Sequence, residues 1–544
     1  QAEGNLLTQA VMISHGAGQR LLQLLKDSSS VEVSLGLQLL PHLFNYTHAH
    51  QNPTEGACIH PDFEKIADQH VMSFHQLQIN QFIDVGIRDL LAAFPEEYYS
   101  GGDGICICAG GDKLLMNAYL AVTHLRKALN STLPVEIWYN GVEELNSTFA
   151  TALQDLEGVT LKNIIEYHAL WWNAAKTASA ENAPHLVFGQ TSRGETEVPR
   201  GFQLKAFAVL YSSFRRVLFM DADNTLLREP TFLFDALSHL TTVTANNRSV
   251  ATIFWPEFWP LSTTSPLHKV FLDPSRETTN IVHHQMESGQ LLLDKKDNWH
   301  ALVLNAFVNS GKRAKFFYSQ LFGDKDLWQL SWGRLSNPFF LIGERPAFVS
   351  NGEDQFVTDC DSQSCTRECL VDVNQFCGST LLHFAPMCQL QDPTSSANRS
   401  PFAECHYIPT FLHATFAERT NSDPSEFQFH WNSGIRCRDA AQVQTNTEDK
   451  LTNWKDGQGP PPSTASLDPA STCFVVATES NFCTAAPQKF GYHFATTQNS
   501  GQCGGRTLER LDAELVTQLG QVEHGFKQTL RAMTTAETSR SDEL

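Results

Sequence analysis

From residue 104 onward the apolar periodicity switches repeatedly between strand-like and helix-like spacing, and this constrains the fold more than any other feature of the chain. "GICICAGG" is a short apolar run closed by glycines, and "DKLLMNAYLAVTHLRKALN" follows as an amphipathic helix. "PVEIWYN" then reads as a strand and "VEELNSTFATALQDL" as a second helix. The pattern resumes with a helix in "GFQLKAFAVLYSSF", a strand in "RRVLFM" and a short helix in "EPTFLFDAL". "VATIFW" and "QLLLD" are further strands, with "WHALVLNAFVNS" a helix. Strands alternating with helices of about ten to fifteen residues build βαβ units, which place parallel strands in a sheet covered by helices. An α/β body over 101–430 is expected, its sheet mixed but mostly parallel.

The flanks read differently. Residues 1–100 carry helical spacing, as in "FEKIADQHVMSFHQLQINQFIDVGIRDLLAAF", and end at Ser100-Gly101-Gly102. Residues 431–544 contain a Pro/Ser/Gly-rich linker, "DGQGPPPSTASLDPAST", then a short cysteine-containing appendix from Cys473 to Cys503 and a final helix from "TLERLDAELV" onward. No internal repeat is present.

Of the 13 cysteines among 544 residues, Cys58, Cys106 and Cys108 stand apart, and the remaining ten fall between Cys360 and Cys503. That density implies disulfides and an oxidising compartment. The gaps among Cys360, Cys365, Cys369 and Cys377 match zinc-ligand spacing poorly. An odd total leaves at least one thiol unpaired, and Cys106 or Cys108, in an apolar strand, could be a buried free thiol. Five N-x-S/T sites, at Asn45, Asn130, Asn146, Asn247 and Asn398, point to the secretory pathway as well. The closing Ser541-Asp542-Glu543-Leu544 is one residue from a KDEL-type address, implying the endoplasmic-reticulum lumen, a retention-signal receptor as partner, and possible cycling through the Golgi. The opening "QAEGNLL" reads as a processed N-terminus, and no run of about 18 apolar residues encodes a membrane span. A net charge of -20 argues against nucleic acid or an anionic membrane as a general partner.

The strand "RRVLFM" runs straight into Asp221-Ala222-Asp223-Asn224. Ligands of parallel α/β sheets bind beyond the carboxyl ends of the strands. Two carboxylates one residue apart at such an end can converge on a hard divalent cation, and oxygen ligands favour Mg²⁺ or Mn²⁺. Such an ion would carry phosphates and stabilise a departing diphosphate. The alternative is an ordinary turn rich in Asp and Asn. Two-carboxylate glycoside hydrolysis needs acids on opposite sides of the scissile bond, which an Asp-x-Asp turn does not provide.

"GFQLKAFAVLYSSFRRVLFMDADNTLLREPTFLFD" resembles the metal-binding segment of sugar-nucleotide-dependent glycosyltransferases of the GT-A fold. More narrowly, the chain looks like the fungal α-mannosyltransferases of glycosyltransferase family 71. "GICICAGGDKLLMNAYLAVTHLRKALNSTLPVEIWYNGVEEL", "ESGQLLLDKKDNWHALVLNAFVN" and "FGDKDLWQLSW" are similar to that family's blocks in order, covering roughly 104–420. The resemblance implies a Rossmann-like sheet and a metal-dependent transferase that retains anomeric configuration, using GDP-mannose and a glycan or glycoprotein acceptor.

It also implies roles. Asp221 and Asp223 would bind Mn²⁺ (or Mg²⁺), completed by His413 with His383 as runner-up. Lys205, Gly110, Gly111 and Asp221 would serve donor binding. Glu287, Gln290 and Asp324 would contact sugar, and Lys325 would lie near the leaving group. Each has a plainer reading as a core or turn residue; Ser288-Gly289 and Gly323 suggest turns. A UDP-sugar donor and a catalytically silent glycan-binding protein are the alternatives.

Overall fold

In the computed structural model the described residues are 72, 75–80, 82–86, 101–145, 148–178, 197–241, 244–245, 248–260, 270–271, 284–321, 323–342, 344, 346–350, 378–388, 405–413, 433–438, 474–478, 491–495, 507–510 and 513–541. Most of residues 1–100, the 456–472 linker, Cys360 to Cys377, four of the five glycosylation sites and residues 542–544 lie outside them.

The expected alternation is present. Strand β1 (Gly101–Cys108) leads into α1 (Gly111–Lys127), β2 (Val135–Tyr139), α2 (Thr148–Gln154), β3 (Val159–Asn163) and α3 (Ile164–Ala178). Then come α4 (Gln203–Tyr211), β4 (Phe214–Asp221), β5 (Asn224–Leu226), α5 (Thr231–Thr241), β6 (Thr252–Pro260) and β7 (His284–Asp294). Helices α6 (Lys295–Val308), α7 (Gly311–Gln320) and α8 (Lys325–Arg334) precede β8 (Phe340–Leu341). The first sheet has seven strands in the order β8-β6-β7-β4-β1-β2-β3. All its pairs are parallel except those of β7, which runs antiparallel to both β4 and β6. The sheet is therefore mixed and mostly parallel, as expected.

Strand β4 is buried on both faces, as a central parallel-type strand must be. Val217 and Phe219 join the cluster holding α4 and α6, and Leu218 and Met220 join the one holding α1 and α5. The strand's two arginines are taken up at its start: Arg215 pairs with Asp294, and Arg216 with Asp103 on β1.

Several elements differ from the sequence reading. "VEELNSTFATALQDL" is not one helix; a 3₁₀ turn over Val142–Leu145 precedes α2. Ser288 and Gly289 lie inside the continuous strand β7 rather than in a turn. A second, antiparallel sheet had no sequence signal. It comprises β9 (Ala347–Ser350), β10 (Gly378–Cys388), β11 (Cys405–His413), β12 (Ser433–Arg438), β13 (Phe474–Thr478), β14 (Gly491–Ala495), β15 (Thr507–Arg510) and the short β5. "TLER", read as the start of the last helix, is β15, and the helix α9 covers Ala513–Ser541. Helix α9 packs on the body: Leu519, Val522, Phe526 and Leu530 share a core with Met116 and Leu120 of α1 and with Leu382 and Leu412.

Cys106 and Cys108 are both free, consistent with the reading of a buried thiol there. Among the described residues no helix is long and apolar enough to cross a membrane. Asn130 is exposed, in a left-handed turn with φ 53.

Candidate metal and sugar site

Three strand registers assemble the site. Asp221 is the last residue of β4, so its carboxylate stands at the carboxyl end of the parallel strands. Strand β7 runs antiparallel to β4 with Met220 opposite Gln290, which carries Glu287, Ser288 and Gly289 past the end of β4 to the level of the acidic turn. Strand β11 pairs with β5 so that His413 lies opposite Asn224, one residue after Asp223. Residues some 190 positions apart thus meet (from 223 to 413) because two sheets share this corner.

Asp221, Asp223 and His413 each offer a ligand atom, and these atoms lie within 4.8 Å of one another. The Nε2 of His413 is 3.5 Å from Asp223 Oδ1, and its ring rests on Gly289, where a Cβ would come 2.5 Å from Cε1. Only glycine lets the ring reach the acidic turn. Two carboxylate oxygens and one imidazole nitrogen form a donor set that suits Mn²⁺. The 3.5 Å from His413 Nε2 to Asp223 Oδ1 is a span that two ligands about 2 Å from one ion can take.

Burial pushes the Asp221 carboxyl up to about 6, against the pull of Lys205, with Asp223 adding to the rise. At His413 burial works against the charge, but Glu287, Asp223 and Asp221 outweigh it and raise the ring to about 9. The corner therefore holds excess negative charge, which a proton on His413 or a cation neutralises.

Beside it, Lys205 donates from Nζ to Asp221 Oδ2 at 2.7 Å and to Ser288 Oγ at 3.3 Å, and lies 3.8 Å from Asp324. Burial opposes its charge, but Asp221 and Asp324 more than offset that and hold the amine protonated. Asp324, at the N-cap of α8 after Gly323 (φ 76), accepts from Ser288 Oγ at 3.3 Å and from Trp328 Nε1 at 3.1 Å. Gln290 accepts from Asn224 Nδ2 at 2.8 Å; its own Nε2 has no hydrogen-bond partner among the described residues.

Lys325 is held between Glu287, at 3.3 Å, and Glu257. Burial raises Glu257 to about 7 despite Lys325, while Lys325 and His413 overcome burial at Glu287 and keep its carboxyl well below the usual range. A register shift between Phe254 and Trp255 interrupts the β6–β7 ladder just before Glu257, and such irregularities re-aim side chains at site edges.

The sequence-derived residues thus mostly gather in one place: Asp221, Asp223, His413, Lys205, Glu287, Gln290, Asp324 and Lys325. His383 stands beside them, its ring 6.1 Å from that of His413 and grouped with Glu287 and His413 instead of the Asp pair. Burial drives its ring down to about 3, so it is neutral. The two glycines divide. A Cβ on Gly110 would lie 1.8 Å from Glu144 Oε2, so Glu144 closes that approach, whereas Gly111 (φ 74) has nothing within 4 Å of its Cβ position. Sequence reading missed Glu257, Ser288, Asn224 and Trp328; an acid in an apolar strand flanked by "FW" was the one signal for Glu257.

Residues 102–282 match the model of a family described as "Mannosyltransferase putative". The chain is 28% identical over 186 residues to the alpha-1,2-mannosyltransferase MNN22 of Candida albicans, covering 34% of this chain and 27% of that protein. It is 27% identical over 241 residues to the alpha-1,2-mannosyltransferase MNN2 of Saccharomyces cerevisiae, covering 38% and 35%. The chain thus spans well under half the length of these relatives. Among solved structures, mouse xyloside xylosyltransferase 1 is similar at a TM-score of 0.29 and 13% identity, covering 44% of this chain and 84% of that one. The mannosyltransferase Ktr4p of S. cerevisiae in complex with GDP is similar at 0.26 and 10%, covering 56% and 84%.

Proposed function

We propose that this chain, whose residues 102–282 fall in a mannosyltransferase family, moves a mannosyl group from GDP-mannose to a hydroxyl of a glycan or glycoprotein. Asp221, Asp223 and His413 would hold Mn²⁺ or Mg²⁺. Their convergence at the carboxyl end of β4 is the observation that carries the reading. A divalent cation bound there supplies positive charge to the donor's diphosphate.

The protein's own groups do the rest. Lys205, kept protonated by two carboxylates, presents a second cation to the phosphates or the departing group. Asp324, Glu287 and Gln290 are buried hydrogen-bonding groups suited to sugar hydroxyls, and the unspent Nε2 of Gln290 is a donor for one of them. Lys325 stands near the leaving group and balances Glu287 and Glu257. The resemblance implies retention of configuration, with the acceptor's proton passing to the departing diphosphate. That scheme needs no strong protein base, in keeping with Asp221 and Glu287 each being paired to a lysine.

The catalytic unit would be residues 101–430. The clustered cysteines and N-x-S/T sites support the secretory lumen as its location, and disulfides, the retention-signal receptor and an endoplasmic-reticulum address belong to the same reading.

Thermal unfolding with Mn²⁺ plus GDP, UDP or no nucleotide tests it, alongside Asp223→Ala. A ligand at ~100 times its dissociation constant adds about 2.7 kcal/mol of stability. A Mn²⁺-dependent shift with GDP, lost in Asp223→Ala, is expected. A shift with UDP alone would replace the donor, and no shift with either would leave a silent glycan-binding protein.

A further inference from the structure

Helix α4 buries every residue from Gln203 to Tyr211, yet the residue just before it, Phe202, is 58% exposed. It is the one aromatic among the exposed large apolar side chains of the described residues. A benzyl ring so placed gives the core little. It is nevertheless held in position. The Lys205 ammonium lies 5.6 Å from its centroid, Tyr318 meets it edge-on at 6.4 Å, and Gly323 brings the chain before Asp324 close beneath it, a Cβ there being 3.5 Å from the ring. Lys205 in turn donates to Asp221, so a single side chain separates the ring from the acidic corner.

We infer that Phe202 is the platform on which a hexose ring of the acceptor stacks, a role that rests on the reading of the neighbouring site as a glycosyl-transfer centre. Pyranose rings pack on aromatic faces through their axial C–H bonds, whose positive hydrogens meet the electron-rich face. In a β-mannopyranose H1, H3 and H5 are axial on the face opposite the axial 2-hydroxyl, and the equatorial O1 leaves that face open. Stacking through that face leaves the 2-hydroxyl unobstructed on the other side. The acceptor is favoured over the donor sugar by burial. The groups suited to the donor's sugar, Gln290, Ser288 and Asp324, are 0 to 2% exposed, whereas Phe202 lies outside that layer, where a hexose on a larger glycan arrives from solvent. A ring already fixed by Lys205, Tyr318 and Gly323 loses little freedom on binding.

The test uses the full chain with methyl β-D-mannopyranoside as the probe. Saturation-transfer NMR is expected to give its strongest signals at H3 and H5, to lose them in Phe202→Ala and to keep them in Phe202→Trp. In transfer assays Phe202→Ala should raise the acceptor KM about tenfold or more while kcat and the donor KM change less than twofold. Saturation transfer that is absent in the wild type, or unchanged in Phe202→Ala, overturns the proposal, as does a variant whose donor KM moves instead. Probe binding through Phe202 without transfer from any nucleotide mannose would sink the transferase reading and leave the platform standing.

Discussion

At the scale of single residues, the tightest constraint is the contact of His413 with Gly289. A methyl group at residue 289 would sit 2.5 Å from Cε1 and 2.8 Å from Nδ1, closer than real contacts allow, so the ring must move. Gly289→Ala should therefore lower Mn²⁺ affinity about tenfold or more, read by titration calorimetry, and cost about 1–3 kcal/mol of stability from overpacking. Lys295 gives a separate, pH-dependent expectation. Burial depresses its amine to about 7, against Glu136 and Cys106, while it donates to the carbonyls of Leu210 and Ser212. In the unfolded chain the same amine holds its proton to about 10.4. Between pH 7 and about 10 the unfolded state therefore binds more protons, and stability attributable to Lys295 rises with pH; as pH falls toward 7 it is lost. Denaturant titrations at pH 7, 8.5 and 9.5 should show a steeper rise in the wild type than in Lys295→Met.

At the scale of elements, the β10–β11 hairpin does two things. Its register puts His413 opposite Leu381 and, at the other end, Cys388 opposite Cys405. The backbone register is what fixes His413 at the acidic corner. Helix α9 carries the expectation at this scale. Phe526 is buried against α1, with His124 edge-on to it at 5.9 Å. Phe526→Ala should cost about 3–5 kcal/mol in chemical denaturation, since a ring-sized cavity opens in a shared core. Most of the first sheet was legible in the sequence, because buried strands such as "RRVLFM" and amphipathic helices such as "DKLLMNAYLAV" satisfy their periodicity locally. The second sheet was not: "STLLHFAP" and "IPTFLH" contain Pro and His and no clean alternation, and they become strands by pairing with each other and with β9, β14 and β5.

At the scale of the whole molecule, charge is the dominant feature. A net charge of -20 means that the folded chain repels itself and that an anionic donor approaches against the overall field. Screening relieves the first effect, so the melting temperature should rise between about 20 mM and 300 mM NaCl, with a Debye length falling below ~10 Å over that range. A flat or falling dependence in differential scanning calorimetry would show that ion pairs such as Arg215–Asp294 outweigh the self-repulsion. Lys205 and Lys325 oppose the field locally, each set between carboxylates beside the acidic corner.

The sequence alone determined the strand and helix alternation, the placement of Asp221 at a strand end and the candidate residues of the site, since each rests on local periodicity or short spacing. It left His413 and His383 as competing partners of the acidic turn, read Ser288-Gly289 as a turn and missed Glu257. Those points were decided by tertiary structure alone. The pairing of β11 with β5 selects which histidine reaches Asp223, the antiparallel run of β7 beside β4 delivers Glu287 and Gln290, and the broken β6–β7 ladder brings Glu257 to Lys325. Register between strands distant in sequence is set by packing of the whole core, which no local pattern encodes.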